Sequence, residues 1–514
     1  MIDILDSTLR DGAQAEGISF TIEDKLKIVS ALDRLGAAYI EAGNPASNPK
    51  DLELFRRLRE KSWERAKIAA FGATRRPGLP AGEDAQVAVL LSSGAPATVI
   101  FGKSWDFHVT EVIKTSLSEN LAMIRETIDF LKERGREVIF DAEHFFDGYK
   151  ANRDYALETL RAAAGASCVC LCDTNGGAFF DEIGEITRVV ASRFPGMKIG
   201  AHCHNDGGMA VAGSVAAVFS GAEHVQGTLT GFGERCGNAD LAAIIANLQL
   251  KRGYTCIPPE NMELLTETAR LIGEIAGGSL RGNAPYVGRS AFAHKAGMHI
   301  DGVKKASAAF EHVEPSSVGN ERRFLISEVS GRGAVLPEIR KIAPEITKDS
   351  PETEAVLREL KRLENKGWQF EAAEGSVALI IRKLLGRYRQ FFELVDYDVI
   401  VISGRCARAM IKIKVGESEK ITAAEGDGPV DALNKALRKA LSGFYPELKS
   451  VRLTDYKVRL LSVRAKFPTA SVVRVLIESS DGNRSWSTVG VASDIIHASW
   501  AALTDSIEYK LNEG

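Results

Sequence analysis

The sequence predicts an α/β protein that begins with a (β/α)8 TIM barrel and ends, after a linker region, in a small α/β domain. Three observations predict this organisation. The first 275 residues alternate short β-branched runs with longer amphipathic stretches. Eight such strand–helix units over about 250 residues match the size of a closed eight-stranded barrel. After about residue 277 the alternation changes, and two similar strand-and-helix halves follow near the end of the chain.

The barrel is expected to contain eight short, apolar strands separated by helices. The expected strands are 2–7, 37–41, 67–71, 98–101, 137–141, 167–172, 198–202 and 223–226. The helices expected between them include 22–35, 117–134 and 152–164. A doubly wound open sheet is the alternative, but it would usually carry a glycine-rich phosphate-binding first turn. The first turn here reads Leu-Arg-Asp-Gly over 9–12, which does not fit that pattern.

The expected domain boundaries follow changes in composition along the chain. The barrel is predicted at 1–277, a charged linker region at 278–390, and the last domain at 391–514. Helices are expected at 352–366 and at 376–388, the second of which leads into the last domain. The expected strands of the last domain are 398–402, 408–415, 459–463, 471–479 and 485–491, and its expected helices are 429–442 and 495–511.

Composition and charge exclude several classes of protein. Hydrophobic residues make up 45% of the chain and charged residues 26%, as in globular domains. The net charge of −3 gives no reason to expect a nucleic acid or an anionic membrane as partner. No apolar run approaches the roughly 20 residues that span a bilayer. The acidic N-terminal stretch and seven cysteines, an odd number, favour a cytoplasmic enzyme with reduced thiols.

The strongest chemical signal is the pair His202 and His204. Residues two apart in a strand point to the same side, so both imidazoles are presented together to a cation. The pair ends the seventh expected strand, at the face where barrel active sites are built. Asp11 follows the first strand at that face and completes a set suited to a divalent Lewis acid. Arg10 beside it offers a planar donor fork to a substrate carboxylate or developing oxyanion.

Other polar residues also follow strands at this face. Glu143 is a candidate for orienting the substrate, Thr174 for bonding its carboxylate, and Asn238 for giving the metal an oxygen ligand. Polar residues end strands in any barrel, so a purely structural role is an equally good interpretation of each. The three alternating cysteines of the sixth strand are interpreted as small buried hydrophobes rather than as a metal site.

Three stretches resemble the shared signatures of the 2-isopropylmalate, homocitrate and citramalate synthases. They are LRDGAQ at 9–14, HCHND at 202–206 and GERCGN at 233–238, in the expected order. The blocks at 47–51, 70–76, 101–105 and 292–299 most resemble the citramalate synthases among them. The end segment resembles the allosteric domain of the family, so the resemblance covers nearly the whole chain. This family condenses acetyl-CoA with a 2-oxo acid on a metal-dependent barrel.

The resemblance implies a role for each candidate residue. The implied ligands of a divalent metal (Mg²⁺, Mn²⁺ or Zn²⁺) are Asp11, His202, His204 and Asn238. Arg10 would polarise the carbonyl of the 2-oxo acid, while Glu143 and Thr174 would contact the substrate. His299, from the linker region of a partner subunit, would help to deprotonate the acetyl methyl group.

The resemblance further implies condensation with pyruvate, at the start of a pyruvate route to isoleucine. It implies a homodimer inhibited by a branched-chain amino acid, isoleucine first. One alternative is condensation with another 2-oxo acid, as in isopropylmalate or homocitrate synthesis; a second is a non-catalytic regulatory member of the family. Five departures from the family pattern bear on these alternatives, and none removes an implied ligand: Asn44, Thr230, Phe232, Phe310 and the pair Gly207–Gly208.

Overall fold

The computed structural model describes residues 1–277, 280–295, 297–325, 331–461, 472–482 and 484–513. The chain forms two compact units. The first comprises Met1–Phe292 with Val313–Glu321, and the second comprises Ala293–His312 with Arg322–Gly514. The expected boundaries at 277 and 390 remain predictions.

The first unit contains a closed barrel of eight parallel strands, which confirms the predicted fold class. Each strand pairs with the next, and the first pairs with the eighth to close the ring. All eight expected strands are present, with ends that differ by at most two residues. They are β1 (Asp3–Asp6), β2 (Tyr39–Gly43), β3 (Lys67–Ala73), β4 (Ala97–Lys103), β5 (Glu137–Glu143), β6 (Cys168–Asp173), β7 (Ile199–Cys203) and β8 (His224–Gly227).

Helices connect the strands and cover the outside of the barrel. The first begins at a capping box, in which Thr21 accepts from the backbone of Asp24 and the Asp24 carboxylate accepts from that of Thr21. The helices are α1 (Ile22–Leu35), α2 (Pro49–Arg59), α3 (Ala85–Ser92), α4 (Leu117–Glu133), α5 (Phe145–Ala151), α6 (Arg153–Ala162), α7 (Phe180–Arg193), α8 (Ala210–Phe219), α9 (Leu241–Arg252) and α10 (Leu265–Ile275).

The barrel strands are buried on both sides, because helices cover the outside and side chains fill the interior. Strand β6, which reads CVCLCD, is buried throughout. Burial raises the pKa of Cys172 to about 11 and that of Cys170 well above its usual value. These thiols therefore stay protonated at neutral pH, which is consistent with their interpretation as small hydrophobes.

The second unit begins with short elements and a group of helices. The two-residue strands β9 (Ala293–His294) and β10 (Arg323–Phe324) pair in parallel. Beside them, Glu311 accepts hydrogen bonds from the guanidinium of Arg322 and lies 2.8 Å from Nε2 of His294. The helices are α11 (Gly297–Lys305), α12 (Arg332–Ile342), α13 (Pro351–Glu364) and α14 (Glu374–Leu384).

Two three-stranded antiparallel sheets, each followed by a helix, complete the second unit. The two predicted halves are therefore confirmed. The first half is β11 (Glu393–Ile400), β12 (Ala407–Val415), β13 (Ser418–Gly426) and α15 (Pro429–Leu441). The second half is β14 (Arg452–Leu461), β15 (Val472–Ser480), β16 (Ser485–Ala492) and α16 (Ile495–Asn512).

The sequence prediction differs from the structure at several places in this unit, and helices α11 and α12 were not expected. Strand β13 was not expected, β11 begins at Glu393 rather than at 398, and β14 begins at Arg452 rather than at 459. Helix α14 ends at Leu384 rather than at 388. The expected end of the strand 459–463 and start of the strand 471–479 lie outside the described residues. Among the residues described, no helix is both long and apolar enough to cross a membrane.

Candidate active site

A pocket of about 230 Å³ opens where the barrel strands end. Strand ends of a parallel barrel meet at one face, which brings together residues far apart in sequence. The predicted site residues that line this pocket are Arg10, Asp11, Glu143, Thr174, His202 and His204. The pocket is also lined by Gln14, Phe71, Phe101, Asp141, Cys172 and Glu234.

Asp11, His202 and His204 converge on one point of this pocket. The Nε2 atoms of the two imidazoles are 3.3 Å apart. Oδ2 of Asp11 lies 3.6 Å from Nε2 of His202 and 3.8 Å from that of His204. All three side chains are buried. One carboxylate and two imidazoles at these separations form a group that could hold a metal ion.

The protonation states of these residues suit a cation. Burial, assisted by the charge of His204, lowers the pKa of His202 to about 3, so its imidazole is neutral at physiological pH. Burial acts to raise the pKa of Asp11, but Arg10 and the two histidines outweigh it and lower the value to about 2. Neutral imidazole and ionised carboxylate are the forms that bind metals.

Carboxylates outnumber cationic groups around the pocket. Asp11, Glu41 and Asp141 all interact electrostatically with one guanidinium, that of Arg10. Burial and the nearby charge of Glu41 raise the pKa of Asp141 to about 8. Positive charge is therefore in short supply here, and a divalent cation would supply it. The residues present fit the metal that the resemblance implies.

Asn238 lies beside this group, as predicted from its place after β8. It forms an isolated β-bridge with His204, and its Nδ2 donates to the backbone oxygen of Phe232 at 3.3 Å. Its side chain also helps to lower the pKa of Asp11. Its Oδ1 atom is buried and has no hydrogen-bond partner among the described residues. A buried oxygen without a partner is unfavourable by about 1–3 kcal/mol, and a cation would satisfy it.

Arg10 is held rigidly at the pocket by three contacts. Its Nε donates to Oε2 of Glu41 at 2.7 Å, and its Nη1 donates to Oδ2 of Asp11 at 3.2 Å. The guanidinium carbon lies 3.8 Å from the centre of the Phe71 ring. The hydroxyl of Ser7 also donates to Glu41, which fixes that carboxylate in turn. A braced guanidinium is a preorganised donor for an anionic group.

Glu143 and Thr174 also line the pocket. Glu143 forms an ion pair with Lys103, its direct neighbour across β4 and β5. Oγ1 of Thr174 accepts the backbone N–H of His144 at 2.9 Å. Because that oxygen accepts from His144, its own proton points away from the amide and is available for donation.

His299 belongs to the second unit, on α11. Its ring centre lies 4.5 Å from that of Phe310. Its role at the barrel pocket remains a prediction.

Sequence reasoning missed several residues around the pocket. They are Ser7, Glu41, Lys103, Asp141 and Gln226. The available signal was a polar residue inside an otherwise apolar strand, since such residues are rarely buried without a partner. Asp141 also places a ligand atom within 4.8 Å of those of Cys170 and Cys172. Those thiols are protonated and Asp141 is bonded to Gln226, so the group containing Asp11 is the better candidate for a metal.

Comparison with known proteins places the chain in a family. The family model described as HMGL-like matches residues 1–272. The model for the homocitrate synthase post-HMGL domain-like region matches 286–367, and that for the LeuA allosteric (dimerisation) domain matches 371–511. The (R)-citramalate synthase of Aquifex aeolicus is 49% identical over 99% of this chain and 97% of its own length. The chain belongs to the (R)-citramalate synthase family.

Two further (R)-citramalate synthases support this membership. That of a Synechocystis species is 47% identical, over 99% of this chain and 96% of its own. That of Geobacter sulfurreducens is 46% identical, over 100% of this chain and 98% of its own. The family resemblance inferred from the sequence motifs is thereby confirmed.

Proposed function

We propose that this protein is an acetyl-CoA-dependent acyltransferase that condenses acetyl-CoA with pyruvate and releases (R)-citramalate and CoA. The observation that carries the proposal is the 49% identity to an (R)-citramalate synthase over nearly the whole of both chains. The acyl group becomes an alkyl group, since its methyl carbon attacks the ketone of pyruvate. Water then cleaves the thioester.

The proposed cation site consists of Asp11, His202, His204 and Asn238. The buried, unpartnered oxygen of Asn238 supports its inclusion. A bound Mg²⁺, Mn²⁺ or Zn²⁺ would act as a Lewis acid toward the 2-oxo acid.

Arg10 is proposed to stabilise the charge that develops as the carbon–carbon bond forms. Electron density moves onto the ketone oxygen of pyruvate during the attack. A donor that is already fixed when this charge appears stabilises the transition state without reorganising. The contacts of Arg10 with Glu41, Asp11 and Phe71 provide that fixation.

Glu143 and Thr174 are proposed to position the substrate. The ion pair with Lys103 holds Glu143 at the pocket. The proton of the Thr174 hydroxyl can be donated to the carboxylate of pyruvate. Correct placement of the two carbon atoms lowers the entropic part of the barrier.

His299 is proposed to help remove a proton from the acetyl methyl group, acting on the barrel of a partner subunit in a homodimer. Mixing His299→Ala protein with His202→Ala protein should restore partial activity, since one site of the mixed dimer has both histidines. Absence of recovery after confirmed subunit exchange would show that His299 does not act across subunits.

The last domain is proposed to bind a branched-chain amino acid, isoleucine first, as end-product regulation of a cytoplasmic isoleucine pathway would require. The match to the LeuA allosteric (dimerisation) domain supports regulation and dimerisation in general. Inhibition requires tighter binding to the less active state, with a coupling of roughly 1–3 kcal/mol. Calorimetry that detects no binding of isoleucine, leucine or valine to the intact protein would overturn this proposal.

A panel of 2-oxo acids tests the proposed reaction. CoA release from acetyl-CoA should be fastest with pyruvate as acceptor, and the product should be (R)-citramalate by chiral chromatography. A higher kcat/KM with 2-oxoisovalerate or 2-oxoglutarate would make the choice of pyruvate wrong. Absence of CoA release with every acceptor would favour the non-catalytic alternative.

A further inference from the structure

A chain of hydrogen bonds runs from Nδ1 of His202, the ring nitrogen that faces away from Asp11, across the barrel interior. Nδ1 of His202 lies 3.0 Å from Oε1 of Gln226, and Nε2 of Gln226 donates to Oδ1 of Asp141 at 2.8 Å. All three side chains are buried, with exposed fractions of 5% or less. They come from β7, β8 and β5, so these hydrogen bonds link strands on different sides of the barrel.

The chemistry of these groups determines the direction of each hydrogen bond. Oδ1 of Asp141 accepts from Nε2 of Gln226, and it can do so as a carboxylate oxygen or as the carbonyl oxygen of the protonated carboxyl. The amide oxygen of Gln226 therefore faces His202. An amide oxygen also accepts, so Nδ1 of His202 carries the proton. A neutral imidazole has one N–H, and its other nitrogen then has a free lone pair. That nitrogen, Nε2, lies 3.6 Å from Asp11.

We propose that Gln226 and Asp141 are positioning residues that hold His202 in its Nδ1–H tautomer and thereby direct the Nε2 lone pair to the cation site. The inference rests on the cation site of the proposed function. Gln226 is well placed for this role, because it is the direct neighbour of His202 in the pairing of β7 with β8.

The second histidine of the site provides a comparison within the same molecule. Nδ1 of His204 is buried and has no hydrogen-bond partner among the described residues. No described residue therefore holds His204 through its Nδ1 atom, as Gln226 holds His202. The hydrogen bonds through Gln226 therefore fix the tautomer of only one of the two histidines, His202.

Replacing Gln226 by Met tests the proposal, because Met has a similar length and cannot make either hydrogen bond. Loss of such a supporting partner lowers metal affinity about 10- to 100-fold. We expect that loss for Mn²⁺ by calorimetry on metal-stripped Gln226→Met protein. Without bound metal, the ¹⁵N spectrum of the His202 imidazole should change from the Nδ1–H tautomer to a mixture.

A second Gln-to-Met substitution serves as the matched control. The side chain of Gln249 bonds the backbone of Cys256 and Ile257 and does not line the pocket. Gln249→Met should lower thermal stability and leave the Mn²⁺ affinity and the His202 spectrum unchanged. If wild-type protein itself binds no Mn²⁺, the proposed cation site is wrong, which is a different result from failure of the positioning role.

Exchanging the carboxyl group and the amide between positions 141 and 226 tests the same hydrogen bonds. This test does not require the Gln226→Met protein to fold. Gln226→Glu alone places two carboxyl groups together and should weaken Mn²⁺ binding at least tenfold. Adding Asp141→Asn should recover most of that loss, because the new amide can donate to the new carboxylate, which still accepts from Nδ1–H. A folded Gln226→Met protein with wild-type Mn²⁺ affinity and tautomer would overturn the proposal. So would an affinity loss in Gln226→Glu protein that Asp141→Asn does not recover.

Discussion

The absence of a side chain at Gly233 determines where Asn238 can lie. A Cβ atom built at Gly233 would be only 2.1 Å from Nδ2 of Asn238. Gly233→Ala should therefore displace Asn238 and lower Mn²⁺ affinity roughly tenfold, as loss of a supporting group does. Gly177→Ala is the control, since a Cβ there meets nothing within 4 Å. Equal Mn²⁺ affinity of both variants by calorimetry would contradict the assignment of Asn238 as a ligand.

Phe101 forms part of an aromatic wall of the pocket. Its ring stacks on that of Phe71 with the ring centres 5.3 Å apart. Phe101→Ala should make room for a longer acceptor, and one methylene in an apolar pocket changes selectivity by about 1–3 kcal/mol. We expect the kcat/KM ratio of pyruvate to 2-oxobutyrate to fall at least tenfold, with Phe101→Leu intermediate. An unchanged ratio in the folded variants would show that this wall does not select the acceptor.

The sequence allowed prediction of the residues that project from strand ends, but not of the interactions that hold them. Asp11, His202 and His204 could be placed together because the barrel topology alone brings those strand ends to one face. The partner of Arg10 is Glu41, and that of Gln226 is Asp141, 85 positions earlier in the chain. Such pairings depend on side-chain packing across the barrel interior, which a periodic pattern does not specify.

Strands of the two sheet types differ in how well they could be predicted. Barrel strands such as β4 and β6 are buried on both sides and read as continuous apolar runs. Strand β13 reads SEKITAAEG, in which Glu419 and Glu425 are exposed and Lys420 is half-buried. It has few β-branched residues, so it lacks a strong strand signal. The start of β14 similarly combines charged and apolar residues.

The apolar face of α15 is expected to hold the first half of the last domain together. Leu433 is fully buried there, in the same core as Ile411 of β12. Leu433→Ala should lower the local stability by about 2–5 kcal/mol, because it leaves a cavity. Hydrogen exchange in the full chain should show this as faster exchange of amides in β12 and α15. Lys435→Ala, at a half-exposed position, should change exchange little; equal effects of the two variants would contradict this packing.

The stability of the whole molecule should depend on pH through His224. This residue is fully buried in β8, and neither ring nitrogen has a partner among the described residues. Burial lowers its pKa to about 4. Because the unfolded chain, with a pKa near 6.5, binds this proton more readily, stability is lost as pH falls from about 6.5 toward 4.

His224→Phe removes this source of pH dependence. Between pH 7 and pH 5 the wild-type protein should lose about 2 kcal/mol more of its free energy of unfolding than the variant. Urea unfolding of both proteins at the two pH values measures the difference. Equal losses would mean that His224 does not carry a depressed pKa in the folded protein.

The dependence of turnover on a stoichiometric divalent cation tests the central claim most directly. Protein stripped of metal is titrated with Mn²⁺ while CoA release from acetyl-CoA and pyruvate is followed. We expect no turnover without metal, recovery that saturates at one ion per subunit, and no recovery in folded His202→Ala protein. Full turnover in protein shown to be free of metal would contradict the claim that this barrel pocket is a metal-dependent condensing site.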